Sequence, residues 1–130
     1  MHAPLPPVLD NDRNREILSR LEGLSAHSDI AQPLCTAVQG FPGAATYCPD
    51  FDAYHYVVAY ANERIFAFAE GMHGLTLWLP PRSRAEAMDA GATISDAGDD
   101  WYFFPLFGAE GFERSIRGWI ALAHAHALRR

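Results

Sequence analysis

The feature that most constrains this chain is a change of hydrophobic period. From residue 44 to residue 80 apolar residues alternate with a period of two, the signature of strands with one covered face. In "YHYVVAY" Tyr54, Tyr56, Val58 and Tyr60 alternate against His55, Val57 and Ala59. "RIFAFAE" sets Phe66 and Phe68 opposite Ile65, Ala67 and Ala69, and "LTLWL" sets Leu75, Leu77 and Leu79 opposite Thr76 and Trp78. The connectors "ANE" and "GMHG" are short enough for hairpins. An antiparallel meander follows, preceded by a short strand near "ATYC".

Helical spacing flanks the meander. Residues 11–24, "NDRNREILSRLEGL", carry Ile17, Leu18, Leu21 and Leu24 on one side, with Asn11 or Asp12 as N-cap. "SAHSD" breaks that pattern, and "QPLCTAVQG" restarts a helix with Pro33 in its first turn and Gly40 as its stop. After the meander, "PPRSRAEAMDAG" reads as a crossover helix from Pro81 to Gly91, and "DAGDD" as a turn. "WYFFPLF" is a late strand in which Pro105 implies an edge or a bulge. Residues 109–128 form the longest helix, with Phe112, Ile116, Trp119, Ile120, Ala123 and Ala127 in one stripe. Glu110 with Arg114 and Glu113 with Arg117 are i,i+4 pairs in the favourable order. The fold class is α+β: an antiparallel meander packed by N-terminal helices, a crossover helix and a long C-terminal helix. A chain of 130 residues suits one domain, expected over 11–130 behind an extended arm at 1–10.

Composition narrows the functions. The formal charge is −6, all ten basic residues are arginine, and hydrophobic residues make up 49%. An acidic balance weakens non-specific attraction to a phosphate backbone. The longest apolar runs fall far short of the ~20 residues that span a bilayer, so no membrane association is expected. The opening "MHAPLPPVLD" has neither a basic n-region nor an apolar h-region, and the expected location is cytoplasmic. Cys35 and Cys48 are read as free thiols.

His124 and His126 are two residues apart, about 200° around a helix, and cannot chelate one ion there. His126 falls at the margin of the buried stripe. His55 and His73 are lone histidines, whereas Glu70 and the cluster Asp96, Asp99 and Asp100 offer carboxylates. The chain has no "GxSxG" elbow, cysteine-protease signature, Walker loop or "GxGxxG". Aromatic residues exceed what one covered sheet face needs. Trp78, Trp101 and Tyr102, with His73 and Glu70, are therefore the candidate ligand-binding residues.

The order helix, helix, meander, helix, strand, helix, with "NERIFAFAE", "LTLWLPP" and "DDWYFFPLF", resembles the MmcQ/YjbR-like family over about residues 30–128. That resemblance implies a small α+β double-wing domain, named for hairpins like those of winged DNA-binding proteins. Members often carry a lysine after the strand matching "LTLWL", where this chain has Leu79, Pro80 and Pro81. A luciferase-type domain family has a similar "GLTLWLP" region, but a histidine near the position of Phe68. Neither supplies catalytic residues.

The reading that follows is a non-catalytic module binding a small molecule or a protein, a homodimer through an exposed aromatic sheet face, with no cofactor and no bound metal. A winged nucleic-acid binder using Arg82, Arg84, Arg114 and Arg117 is one alternative. The other is a metal-dependent or acid–base enzyme built from His55, His73, Glu70 and Asp100.

Overall fold

Helical and alternating segments separate where the change of period places them. The computed structural model describes residues 4–50, 55–105 and 112–129, with side chains of the last helix described from Ile116 onward. In chain order they form α1 (Asp12–Leu21), α2 (Ser28–Gln39), β1 (Ala44–Tyr47), β2 (Val57–Ala61), β3 (Arg64–Glu70), β4 (Gly74–Trp78), α3 (Arg84–Asp89), β5 (Thr93–Ile94), β6 (Trp101–Pro105) and α4 (Phe112–Leu128). The strands make one antiparallel sheet of order β1-β2-β3-β4-β6-β5. The protein is an α+β meander packed by helices. Tyr54, residues 109–111 and the ion pairs of Glu110 and Glu113 lie outside what is described.

Two cores divide the sheet faces. Leu34 and Val38 of α2 and Ile120 of α4 pack against Phe66, Leu75 and Leu77. On the other face Ile17 and Leu21 of α1 meet Val58, Ile65, Phe68 and Trp101. Each such fully buried side chain contributes about 1.5–3 kcal/mol. Leu9, in a 3-10 turn at Pro7–Leu9, is fully buried in this second core, so the segment read as an extended arm is pinned to the domain.

Four sequence expectations shift. β3 carries a bulge, because the register with β2 jumps between Ala59↔Ala67 and Tyr60↔Ile65. The inserted residue reverses the alternation: Phe66 joins Ala67 and Ala69 in one core, while Ile65 joins Phe68 in the other. α1 ends at Leu21 because Gly23 turns left-handed (φ 81), which leaves Leu24 40% exposed. α2 starts at Ser28, with His27 as its N-cap, so Pro33 lies inside the helix rather than in its first turn. β6 is interior to the sheet, and Pro105 occupies its last position, beyond the pairing of β5 with Tyr102 and Phe103. A missing N–H costs least there.

Asn11 caps α1, accepting from the Asn14 N–H. Asn14 is fully buried and clasps the β2–β3 hairpin: its Nδ2 donates to the Glu63 carbonyl at 2.9 Å and its Oδ1 accepts from the Ile65 N–H at 3.1 Å. Arg13 adds a bond to the Ile65 carbonyl at 3.0 Å. Two side chains thus satisfy the β3 backbone just beyond the last β3–β4 pair, Ala67↔Leu77.

The link from α1 to α2 wraps around one end of the sheet. Its Ser25 carbonyl accepts from the Gly71 N–H, and its His27 N–H donates to the Gly71 carbonyl. Gly71, left-handed at φ 70, presents both groups to that strap from the β3–β4 turn.

Candidate functional site

The helices cover the two sheet faces unequally. α2 and α4 span one, while α1 lies over β3 on the other, and no described helix packs comparably over β4, β6 and β5 there. Register places Val58, Phe68, Thr76, Phe103 and Thr93 in one cross-strand row on this face. Beyond the end of α1 the row floors a hollow of about 340 Å³. Phe68, Thr76 and Phe103 form the floor, Leu21 and Leu24 one wall, and Ile94 the opposite rim. An Arg20–Asp96 ion pair ties the end of α1 to the loop after β5. Glu70 stands at the end of the hollow nearest the β3–β4 turn, two residues beyond Phe68.

This placement sorts the residues expected from sequence. Glu70 lines the hollow. Trp101 does not line it: it lies in the same core as Phe68 at 4% exposure, its ring 5.5 Å from that of Phe68. Trp78 pairs with Trp101 and is half-buried between the two cores, with the Arg13 guanidinium 4.3 Å from its ring centre and the His126 ring at 4.1 Å. Arg13 has no carboxylate partner among the described residues, and its Nη2 is buried without a hydrogen bond. Burial first, and then Arg64, hold its pKa down to about 10, which leaves it charged at neutral pH. Trp78 is thus contacted by Arg13 and by His126.

Tyr102 is 3% exposed and belongs to the opposite core. Burial and Asp100 push its phenol up against the opposing effect of Arg84, in a separate open hollow of about 570 Å³. His73 is exposed in the β3–β4 turn beside Met72, away from the floor.

The alternative constellations come apart. Arg84 lines the hollow beside Asp99 and Asp100, whereas Arg117 lines a groove between α2 and α4 with Asp29. Arg82 is exposed before α3, and the Arg114 side chain is outside what is described. The arginines therefore do not form one cationic face among the described residues. Asp100 precedes β6, at the far end of β4 from Glu70 and His73, a separation of ~16 Å at the usual rise per residue. Among the described residues no three His, Cys, Asp or Glu side chains could hold a metal ion, and no helix is long and apolar enough to cross a membrane. His124 is buried; its Nε2 donates to the Pro42 carbonyl at 2.9 Å while the ring stacks on Phe41. His126 is buried against Trp78.

Cys35 and Cys48 are free thiols. Burial pushes both above the ordinary thiol range, despite a Thr46 hydrogen bond at Cys35 and backbone hydrogen bonds at Cys48 that act the other way. At pH 8 a disulfide reagent should react with the native protein about tenfold more slowly than with the protein in denaturant. Equal rates would show that neither thiol is shielded. Because the folded state holds these protons more tightly than the unfolded chain, their contribution to stability is full below about pH 8.5 and declines as pH rises past it.

Sequence inspection missed Phe68, Phe103, Thr76 and Arg20. Thr76 was the available signal, as the one small polar residue within "LTLWL". No protein-family model, curated protein or solved structure matches the chain.

Proposed function

We propose that the protein is a non-catalytic binding module that takes a small, partly apolar molecule in the hollow over Phe68, Thr76 and Phe103. One observation carries this reading. Beyond the end of α1 this sheet face carries a hollow floored by the Phe68 and Phe103 rings rather than by the polar side chains of a solvated face. The lining includes neither histidine nor cysteine, and of its two carboxylates Asp96 is held by Arg20, which leaves Glu70. A single carboxylate with no histidine, cysteine or second acid–base group beside it weighs against the acid–base and metal-dependent alternatives.

The size favours a small molecule over a second copy of the chain. A stable dimer buries roughly 800 Å² per partner. On this face the described large apolar residues that are well exposed come to Leu24 and Ile94. The net charge of −6 and the dispersed arginines weigh against the winged nucleic-acid reading and the family resemblance that suggests it.

Titration with the neutral fluorophore N-phenylnaphthylamine tests the site. Ile94 is 56% exposed, so Ile94→Lys should leave stability within about 0.5 kcal/mol. It should also weaken the probe about tenfold by placing a charge on the rim. Unchanged probe affinity in Ile94→Lys would move the binding site elsewhere.

A further inference from the structure

We infer that the hollow selects an organic cation, a protonated amine carried on a short apolar body. This rests on the binding reading above and assigns the chemistry of its ligand. The first observation is Glu70. Its carboxylate lines the hollow and has no hydrogen-bond or ion-pair partner among the described residues. The other charged groups of the lining, Arg20 and Asp96, are paired with each other. The unbalanced charge inside the hollow is therefore a single negative one.

The second observation is the position of the Phe103 ring. Glu70 pairs directly with Gly74 across β3 and β4. A Cβ on Gly74 would lie 2.9 Å from the Phe103 Cζ, so the ring occupies the space that a side chain at 74 would take, beside the carboxylate. Directly opposed residues have Cβ positions only about 5 Å apart. A group held by Glu70 is then within reach of the Phe103 ring, and Phe68 lies two residues back on the same strand. A carboxylate next to a phenyl ring favours an ammonium over either a neutral group or an anion: the carboxylate supplies charge, and the ring face attracts the cation.

The third observation is the absence of further ligand atoms. Metal cations take several oxygen, nitrogen or sulfur donors, and no three His, Cys, Asp or Glu side chains among the described residues gather here. The ammonium of an organic molecule needs one carboxylate and can bury its alkyl part over Phe68 and Phe103. The net charge of −6 raises the local concentration of cations as well.

The test compares hexylamine, hexanol and hexanoate at pH 7 by saturation-transfer NMR and by quenching of tryptophan fluorescence, in the wild-type protein and in Glu70→Gln. Hexylammonium should bind about tenfold more tightly than hexanol, and hexanoate more weakly than both. Glu70→Gln should bring hexylammonium down to the level of hexanol and leave hexanol unchanged. Equal affinities of hexylammonium and hexanol in the wild type would overturn the cation assignment while leaving the apolar hollow as a binding site. A preference that survives Glu70→Gln would overturn the role of Glu70. Absence of binding by all three, together with no uptake of the neutral fluorophore, would remove the hollow as a site and this inference with it.

Discussion

Asn14→Ala should lower the stability of the fold by about 3 kcal/mol and the melting temperature by about 10 °C, among the largest effects of any single truncation in α1. The side chain is small, so little of this is lost apolar area. Removing it strips the Ile65 N–H of its partner and takes one of two donors from the Glu63 carbonyl, leaving Asn11 Nδ2 at 3.1 Å as the other. An unsatisfied buried group costs about 1–3 kcal/mol. Arg13 also loses its 3.3 Å contact to Oδ1 and keeps only the Ile65 carbonyl, with no acid to balance its charge.

Asn14→Asp provides the internal control. Its carboxylate still accepts from Ile65 and gives Arg13 a counter-charge, but sets an acceptor oxygen against the Glu63 carbonyl in place of the donor. It should therefore be less destabilising than alanine. Thermal denaturation of both variants decides the matter; a loss below about 1 kcal/mol for alanine would mean that apolar packing alone seats α1. The clasp bears on the hollow as well, since Leu21 and Arg20 at the other end of α1 form its wall.

Gly74→Ala should be at least as damaging, costing about 3 kcal/mol or more. The added Cβ would sit 2.1 Å from the Phe104 carbonyl oxygen and 2.9 Å from the Phe103 ring. The ring can swing aside, but the carbonyl belongs to β6, where Gly74 pairs with Pro105 and Leu75 with Phe104. Relief requires β4 and β6 to part at the end bordering Glu70, so the hollow should lose its ligand along with stability. Gly118→Ala is the contrasting substitution: nothing lies within 4 Å of its new Cβ, it sits inside α4, and the exchange should add about 1 kcal/mol. Opposite shifts in melting temperature for the two alanines would confirm that close approach matters at 74. A stable Gly74→Ala protein would refute it.

The bulge in β3 shows where pattern reading stops. An alternating run fixes which residues share a face only while the register is unbroken, and one extra residue reverses everything after it. Ile65 and Phe66 of "RIFAFAE" thus exchange faces relative to strict alternation, although the strand itself was evident. β5 went unread for another reason. Thr93 and Ile94 are both exposed and too few to display a period; they are a strand because β6 supplies their hydrogen bonds.

By itself the sequence determined the local elements: the meander from its period of two, α1 with a cap at Asn11 or Asp12, α3 between Pro81 and Gly91, and the Ile116–Ile120–Ala123–Ala127 stripe of α4. These depend on neighbours a few residues away, which the chain order displays. Tertiary structure alone decided that α1 covers only part of its sheet face, that Arg13 and Asn14 complete the edge of β3, and that Phe103 leans into the place left by Gly74 beside Glu70. Each of those facts joins residues more than 25 positions apart, and they meet only through the strand order and the helix packing that the folded core imposes.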